Sequence, residues 1–333
     1  MYDSIAYNEI NDNYILIDVR SPKEFLDFHI PGALSMPIMD DDERKIVGTL
    51  YQHGSHDEAK KMALQFGTKK IGDYHDFIVN NKDRSIVFYC ARGGYRSKTV
   101  ASLFFSLGYH VYQLKGGIKS YRQKINSELP LLLSELELVI MYGKTGSGKS
   151  EILNIIKNYY PTLDLEGLAN HKGSVLGSVG MGKANSQKMF EALLYEQLTR
   201  SSCRRFLVEG ESKRIGEVIL PKMLWNKMQE GEKIYIDCSL ERRIQRLVKE
   251  YIYEGDLNEI LENLSRIEKF ISKEKYQLLI DNLKNGNYDD AAKFLCEKYY
   301  DLNYKFKPDD KTTVFNGDDS KEAARDILKY LQR

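Results

Sequence analysis

The chain has few of the features that mark disulfide-bonded, zinc-binding or polybasic proteins. Its four cysteines, Cys90, Cys203, Cys238 and Cys296, lie far apart and form no C-x-x-C pair. This spacing argues against a disulfide framework and against a zinc site, and it indicates a reducing compartment. The formal net charge of the 333 residues is +1, which excludes a polybasic tail but leaves room for a local basic face.

The sequence also has no long hydrophobic run. The N-terminal segment contains acidic and polar side chains from Asp3 onward, so it does not resemble a secretory signal peptide. The most apolar stretch, Leu129 to Tyr142, contains Glu135 and Glu137 and is too short to span a bilayer. Because 42% of the residues are hydrophobic and 29% are charged, the composition is typical of a soluble globular protein, and we expect a cytoplasmic location.

A cysteine at the head of a loop rich in glycine and arginine is the most informative feature that is present. The loop, Cys90-Ala91-Arg92-Gly93-Gly94-Tyr95-Arg96-Ser97, follows an apolar run over 85–89 that predicts a buried parallel strand. A helix is predicted to follow over 98–107. Glycine allows a tight arc of inward-pointing N–H groups, and the helix N-terminus and the two arginines add positive potential.

We expect this loop to hold Cys90 as a thiolate at neutral pH and to cradle an extra sulfur, a selenium or an oxyanion on it. The residues predicted to form the anion loop are Arg92, Gly93, Gly94, Arg96 and Ser97. Phosphatase loops share the spacing from cysteine to arginine, so the loop alone indicates anion chemistry rather than a particular reaction. The alternative, a buried structural thiol, is disfavoured by the two arginines.

A second loop matches the P-loop pattern G-x-x-x-x-G-K-[ST] at every fixed position. It lies between an apolar strand predicted over 136–142 and a helix predicted over 151–160, which is the context that the pattern requires. Its N–H groups are expected to wrap a phosphate, Lys149 to reach the terminal phosphate, and the Ser150 hydroxyl to hold Mg²⁺ if a metal is present. The predicted phosphate-binding residues are Gly143, Thr145, Gly146, Ser147, Gly148, Lys149 and Ser150.

The order of elements predicts an α/β protein with two domains. Residues 1–126 alternate short apolar strands with helical patterns, which predicts a parallel sheet with helices on both faces. A helical insertion is predicted at about 40–75, and residues 127–134, with few helix-capping signals, are interpreted as a linker. Residues 135–333 predict a second α/β domain, which begins with the P-loop and ends in a helical region from about residue 240.

Further polar residues follow predicted strands of the second domain, at the edge of a sheet where ligands bind. The candidates for contacts with substrate or Mg²⁺ are Asp164, Glu166, Asn170, His171, Glu209 and Glu211. The alternative for Asn170 and His171 is that they cap or turn a loop. Arg242, Arg243 and Arg246 begin a later helix, and they are interpreted equally well as lid arginines or as a solvated helix face.

Two features of the first half are predicted to be structural. Asp18 and Arg20 are expected to form an ion pair near the sheet edge rather than to take part in chemistry. His29 is expected to fix the turn before Pro31. The three cysteines other than Cys90 occur in ordinary strand or helix contexts, so the structural interpretation is the default for them.

The first half resembles the rhodanese domain, and the whole chain resembles the tRNA 2-selenouridine synthase family. The rhodanese blocks are Asp18-Val19-Arg20-Ser21-Pro22-Lys23-Glu24-Phe25, His29-Ile30-Pro31-Gly32-Ala33 and Lys115-Gly116-Gly117. A rhodanese domain followed directly by a P-loop domain is similar to the synthase family, with agreement also over 164–174 and 208–212. The family usually has a bulky residue where Ala91 stands and often Met where Tyr95 stands, so the pocket wall differs while the charged groups remain.

The resemblance implies a tRNA-modifying transferase that converts 2-thiouridine at the wobble position of certain tRNAs to 2-selenouridine. It implies selenophosphate as the selenium donor, supplied by the enzyme that produces it, and an S-geranyl intermediate made from geranyl diphosphate. The P-loop would then hold the diphosphate, and no tightly bound cofactor is expected besides Mg²⁺. We expect one tRNA to contact both domains through its unpaired anticodon loop, with an affinity that falls as salt rises.

Two other functions are compatible with the residues alone. An ATP-using fusion of a sulfurtransferase and a kinase, acting on a small molecule, predicts ATP turnover without RNA. A non-catalytic persulfide sensor predicts that Cys90→Ala preserves function. The blocks over 164–174 and 208–212, which generic kinases and sensors lack, favour the tRNA-modifying transferase.

Overall fold

Two five-stranded parallel sheets organise the computed structural model, which describes residues 3–253 and 256–332. The chain divides into two compact units: the first ends at Leu129 and also includes Glu191–Glu196, and the second takes the rest. The predicted fold class, two α/β domains with parallel sheets, is confirmed. Within the described residues, no helix combines the length and the apolar surface needed to cross a membrane.

The sheet of the first unit has the strand order β1-β5-β4-β2-β3, and all its pairs are parallel. Its strands are β1 (Asp3–Ile5), β2 (Tyr14–Asp18), β3 (Leu34–Ser35), β4 (Ser85–Tyr89) and β5 (Val111–Leu114). The central strand, β4, is almost entirely buried because its residues Ile86, Val87 and Phe88 face helices on both sides of the sheet.

The helices of the first unit cover this sheet. They are α1 (Pro22–Asp27), α2 (Asp41–Gln52), α3 (His56–Thr68), α4 (Ile71–Asn80), α5 (Tyr95–Ser106) and the part of α6 (Gly117–Ser134) up to Leu129, with a 3₁₀ turn at Tyr7–Glu9. Most of the predicted insertion at about 40–75 is helical and forms α2, α3 and the start of α4. The Asp40 side chain accepts a hydrogen bond from the Glu43 N–H at 2.8 Å and so begins α2.

Two sequence predictions about the helices were wrong. Helix α5 begins at Tyr95 rather than at 98, so Arg96 and Ser97 belong to its first turn. The predicted linker, 127–134, is not irregular chain but the last turns of α6. Leu129 and Leu133, four residues apart, are both buried there, and this burial offsets the cost of a proline inside the helix.

The sheet of the second unit has the order β12-β11-β6-β8-β7, again all parallel, with β6 at its centre. Its strands are β6 (Glu137–Tyr142), β7 (Thr162–Leu163), β8 (Arg205–Glu209), β11 (Glu232–Asp237) and β12 (Thr313–Asn316). A separate antiparallel pair consists of β9 (Arg214–Ile215) and β10 (Val218–Ile219). The strand predicted over 136–142 is confirmed as β6, whereas the edge strand β12 was not predicted.

The helices of the second unit fall into two groups. The first group alternates with the strands along the chain and consists of α7 (Lys149–Ile156), α8 (Leu165–Ala169), α9 (Gln187–Arg200, without Glu191–Glu196), α10 (Lys222–Glu230) and α16 (Ser320–Leu331). The predicted helical region contains α11 (Leu240–Leu247), α12 (Leu257–Leu264), α13 (Lys273–Lys284), α14 (Tyr288–Leu295) and α15 (Asp301–Asn303), with π-helical turns at Val248–Tyr253 and Cys296–Tyr300 and a 3₁₀ turn at Ser265–Phe270. This helical region has its own apolar core, centred on side chains such as Leu264, Leu279 and Cys296.

Candidate functional site

Cys90 lies directly after the central strand β4, at the carboxyl edge of the first sheet. The chain then turns through Gly93, whose φ of +64° is readily adopted only by glycine, and enters α5 with Gly94 at the N-cap. The thiol is 3% exposed. Its sulfur accepts a hydrogen bond from the Ser97 hydroxyl at 3.1 Å. The predicted loop therefore exists, with the cysteine at its base and the first turn of α5 as one wall.

This environment lowers the pKa of the Cys90 thiol below its ordinary value. Burial alone would raise the pKa, but the Ser97 hydroxyl, the backbone N–H groups of Ser97 and Arg92, and the charge of Arg96 outweigh it. Each of these groups favours the anion because it places a donor or a positive charge at the sulfur. The direction agrees with the sequence prediction of a thiolate.

The Gln113 side chain orients the Ser97 hydroxyl, which in turn donates to the Cys90 sulfur. Its side-chain amide, on β5, donates to the Ser97 Oγ at 2.9 Å and to the Gly93 carbonyl at 2.9 Å. Since the Ser97 oxygen accepts from Gln113, its single hydrogen is directed at Cys90. The side chain is only 4% exposed, so the arrangement is shielded from water. Sequence reasoning missed Gln113; the only signal was a polar residue within an otherwise apolar strand.

The block Lys115-Gly116-Gly117 forms a turn that contacts the Cys90 loop. The N–H groups of Ile118 and Lys119, at the start of α6, donate to the carbonyls of Cys90 at 2.9 Å and of Ala91 at 3.1 Å. Gly117 has a φ of +60°, and a Cβ there would overlap the Cys90 carbonyl. The turn thus needs glycine in order to approach the cysteine loop closely.

The two loop arginines are not equivalent. The Arg96 guanidinium donates to Glu24 at 2.6 Å. Burial would raise the pKa of that carboxyl, but the hydrogen bonds and positive charges of Arg96 and of its other neighbours together lower it. Arg92 is exposed, and Tyr95 beside it has 74% of its surface exposed. Arg92 is therefore the arginine available to an incoming anion, whereas Arg96 also anchors the loop to α1.

The residues predicted to be structural in the first unit make structural contacts. Arg20 and Asp18 form a buried ion pair, with the guanidinium donating to Oδ2 at 2.6 Å and to the Phe28 carbonyl at 2.5 Å. The His29 ring stacks on Phe25, and its Nδ1 lies 2.9 Å from the Phe25 carbonyl. The ion pair holds the connection from β2 to α1, and the His29 contact holds the turn that follows α1.

The P-loop occupies the equivalent place in the second unit, between the central strand β6 and the N-terminus of α7. Gly146 and Gly148 have φ values of +80° and +89°, which the tight phosphate-binding turn requires. The Lys149 ammonium donates to the Gly143 carbonyl at 2.8 Å, and the Gly143 N–H donates to the Tyr304 hydroxyl at 2.8 Å. A phosphate in the loop would draw Lys149 away from that carbonyl.

Two of the three arginines of α11 fit neither of their two predicted roles. Arg243 is buried and donates to the Thr145 carbonyl at 2.8 Å and to Asp301 at 2.6 Å. Arg246 donates to the Ser147 carbonyl at 3.1 Å and to the Ser320 hydroxyl at 2.7 Å. The two guanidinium groups brace the outside of the P-loop through its carbonyls. Only the third, Arg242, is exposed as a solvated helix face would be.

Three of the predicted carboxylates come together beside the P-loop. Oxygens of Glu166, Glu209 and Glu211 all lie within 4.8 Å of one another, and the Ser150 hydroxyl is 3.3 Å from Glu166 Oε2. Burial raises the pKa of all three carboxyls above the ordinary value, and the mutual repulsion of their charges adds to this, while Lys149 opposes it. The structure thus brings three of the six candidate residues together in one cluster.

The other three candidates make local structural contacts. Asp164 caps α8 by accepting from the Gly167 N–H at 2.7 Å. Asn170 has a φ of +51° and donates to the carbonyls of Met181 and Lys183, both at 2.8 Å. His171 is buried, and burial lowers the pKa of its ring. These contacts favour the interpretation that Asn170 and His171 turn and hold a loop.

A cleft of about 1670 Å³ opens in front of the P-loop, within the second unit. Its lining combines the phosphate-binding residues and two of the clustered carboxylates, Glu166 and Glu211, with several aromatic rings. The rings are those of Tyr142, Tyr159, Trp225, Tyr299, Tyr300, Tyr304 and Phe306. Tyr142 and Phe306 stack with their centroids 3.8 Å apart. The cleft can therefore take a ligand that is anionic at one end and apolar at the other.

A reactive cysteine loop on one parallel sheet and a P-loop on a second define a rhodanese and P-loop fusion. Family models agree: residues 4–124 match the rhodanese-like domain, and residues 136–333 match the tRNA 2-selenouridine synthase AAA domain. The tRNA 2-selenouridine synthase of Sulfurovum sp. (strain NBC37-1) is 30% identical, over 89% of each chain. That of Pseudomonas syringae pv. syringae is 29% identical, over 95% of this chain and 94% of the relative. The chain belongs to the tRNA 2-selenouridine synthase family, which confirms the resemblance seen in the sequence.

Proposed function

We propose that the chain is a tRNA-modifying transferase that replaces the sulfur of wobble 2-thiouridine with selenium. Its full-length relatives bear the name tRNA 2-selenouridine synthase. The observation that carries the proposal is the Cys90 sulfur, which accepts from Ser97 at 3.1 Å and has a lowered pKa. A stabilised thiolate at the base of an N–H-lined loop is suited to handling a chalcogen anion.

The first step is assigned to the P-loop. The sulfur of 2-thiouridine attacks C1 of geranyl diphosphate, the bond from C1 to oxygen breaks, and diphosphate leaves with the bonding electrons. Lys149 and the loop N–H groups would hold the negative charge that develops on the leaving group. The aromatic side chains of the cleft, such as Tyr142 and Phe306, offer the apolar surface that the geranyl chain needs.

The second step is assigned to the Cys90 loop. The selenium of selenophosphate attacks C2 of the base, and the geranylthio group leaves as the thiolate. Water then attacks phosphorus, the bond from selenium to phosphorus breaks, and phosphate leaves, so that selenium stays on C2. The donor is an anion, and the exposed Arg92 together with the loop N–H groups gives it a place to bind. A selenophosphate-producing enzyme is the expected source of the donor.

Mg²⁺ is the metal that the P-loop implies, and the residues present fit it. The Ser150 hydroxyl would contribute one oxygen ligand, and Glu209 or Glu211 stands where a carboxylate would hold the ion from the other side. When bound, the ion would neutralise negative charge on the diphosphate. The tRNA would present its wobble nucleotide as an unpaired base, so its binding should weaken as salt rises.

Mass spectrometry of the nucleosides in tRNA, from cells with and without the gene, tests the proposal. We expect 2-selenouridine to disappear without the gene and 2-thiouridine to take its place. An unchanged nucleoside profile would contradict the proposal. ATP turnover by the purified chain without RNA, together with no binding of geranyl diphosphate, would support the kinase-like alternative instead.

A further inference from the structure

An exposed aromatic side chain lies next to the Cys90 loop. Tyr95 is the first residue of α5, and 74% of its surface is exposed. The carbonyl of the preceding residue, Gly94, lies 3.9 Å from the Cys90 sulfur, so Tyr95 directly follows a group that contacts the reactive atom. A ring left in water contributes little to the stability of the fold, but it offers a flat surface to a ligand that approaches the cysteine.

The helical insertion lies beside the first turn of α5. Glu24 accepts from Arg96, in that first turn, at 2.6 Å, and it lies 3.7 Å from the guanidinium of Arg44 on α2. A Cβ at Gly48 would lie 2.5 Å from a nitrogen of that guanidinium, so the glycine lets the Arg44 side chain extend along α2. Tyr51, which is 51% exposed, comes next on the same face, because residues three and four apart are neighbours on a helix.

Lys60, an exposed residue of α3, lies near both tyrosines. The Asp57 carboxylate, which accepts from the Lys60 ammonium at 2.9 Å, raises the pKa of Lys60. The hydroxyls of Tyr95 and Tyr51 add to this rise, and they lie near the ammonium because exposed groups act on one another only over short distances. The His56 ring packs edge-on against Tyr51, with the centroids 4.5 Å apart. Tyr51, Lys60 and Tyr95 thus form one exposed surface beside the cysteine loop, which we call the tyrosine surface.

The chemistry of the tyrosine surface fits an unpaired nucleotide. Unpaired bases stack on aromatic side chains, and lysine or arginine binds the phosphates of a single strand. Lys61 and Lys98 are also exposed, and Lys98 is the helical neighbour of Tyr95 three residues further along. The centre of a protein interface is depleted of lysine and other charged residues, so this composition favours RNA over a protein partner.

We propose that the tyrosine surface binds unpaired bases of the tRNA anticodon loop, with the wobble base stacked on Tyr95 in front of Cys90. Lys60 contacts a backbone phosphate, and Tyr51 stacks on a base next to the wobble nucleotide. The inference rests on the proposed function for the identity of the RNA, and it adds which side chains bring the base to the sulfur. It also gives the helical insertion a role in substrate binding.

Photocrosslinking tests where the wobble base lies. The full-length chain is mixed with the anticodon stem-loop of a tRNA that has 2-thiouridine at the wobble position, and 5-iodouridine replaces that nucleotide. Irradiation breaks the carbon–iodine bond and links the base to a stacked aromatic ring, which mass spectrometry then identifies. We expect the crosslink at Tyr95 and its loss in Tyr95→Leu.

Fluorescence anisotropy at one fixed salt concentration gives the affinity for the same stem-loop. Tyr95→Leu should weaken binding by roughly 5–100-fold, since it removes one stacked ring, whereas Tyr95→Phe should bind as the wild type does. Phe105→Leu is the matched control, because Phe105 is 38% exposed near the other end of α5, and it should also bind as the wild type does. Circular dichroism checks that each variant folds.

Two results would overturn the inference and leave the proposed function intact. One is a crosslink of the wobble base to a residue other than Tyr95. The other is wild-type affinity in Tyr95→Leu, which would favour a protein partner for the tyrosine surface. Failure of the wild type to bind the stem-loop would contradict both the inference and the proposed function, because the proposed function itself requires the wobble base to reach Cys90.

Discussion

The Cys90 loop and the P-loop have similar backbone arrangements in two different units. Each follows the central strand of a five-stranded parallel sheet, β4 in the first unit and β6 in the second. Each turns through glycine with positive φ, Gly93 in the first loop and Gly146 and Gly148 in the second, and leads into the N-terminus of a helix. In both, backbone N–H groups and a helix end create a place for an anion.

The side chains around the two loops have opposite effects on nearby acids. Around Cys90, hydrogen-bond donors lower the pKa of the thiol despite its burial. Beside Lys149, burial and mutual repulsion raise the pKa of carboxyls such as Glu209. In both loops the backbone provides a general anion-binding site. The neighbouring side chains determine whether that site stabilises a thiolate, as at Cys90, or binds the charge of a phosphate, as at Lys149.

The largest expected effect comes from removing the sulfur. Cys90→Ala should abolish 2-selenouridine formation while leaving geranyl transfer intact, because the second step depends on the thiolate and the first on the other loop. Product nucleosides in tRNA treated with the purified variant give the measurement. Cys203→Ala, which removes a cysteine outside both loops, should retain both activities. Equal 2-selenouridine from Cys90→Ala and the wild type would remove Cys90 from the mechanism.

Lys149→Ala should weaken geranyl diphosphate binding by roughly 10–100-fold, since it deletes a charged hydrogen-bond donor to phosphate. Calorimetric titration of the variant measures the loss, and folding should be unaffected because Lys149 lies at the loop rather than in the core. Lys157→Ala, at the exposed end of α7, should bind normally. Wild-type affinity in Lys149→Ala would place the prenyl donor elsewhere.

Gln113→Glu should raise the pKa of Cys90, because a carboxylate would accept the Ser97 hydrogen that now points at the sulfur. The rate of alkylation against pH measures this shift. In the wild type its midpoint should lie below the ordinary thiol value of about 8.5, because a lowered pKa keeps the thiolate present at lower pH. Gln113→Met, which keeps the shape without attracting the hydroxyl, should shift the midpoint less; equal midpoints in all three proteins would rule out the positioning role.

The smallest expected effect concerns the outer support of the P-loop. Asp301 accepts from Arg243 at 2.6 Å and from Lys144 at 3.1 Å. Asp301→Asn should lower the free energy of unfolding by about 1–3 kcal/mol, since it leaves the buried Arg243 without its carboxylate. Urea denaturation measures the change, with Asp310→Asn in an exposed loop as the control. A loss equal to that of the control would show that the brace does not stabilise the unit.

The sequence predicts both anion loops because each depends on a short, local pattern of glycines beside one reactive side chain. It also places Glu209 and Glu211 near the P-loop, because both follow a predicted strand. It could not identify Gln113, whose partner Ser97 lies sixteen residues away on another element. Nor could it assign Arg243, because a charged helix position does not reveal whether it faces water or the carbonyls of a distant loop.

Sequential treatment of one tRNA with two variants, each inactive in one step, tests most directly whether the P-loop carries out geranyl transfer and the Cys90 loop carries out selenium transfer. tRNA containing 2-thiouridine is treated with Cys90→Ala and geranyl diphosphate, purified, and then treated with Lys149→Ala and selenophosphate. The account predicts S-geranyl-2-thiouridine after the first treatment and 2-selenouridine after the second. Conversion of the geranylated tRNA by Cys90→Ala, or failure of Lys149→Ala to convert it, would contradict the account.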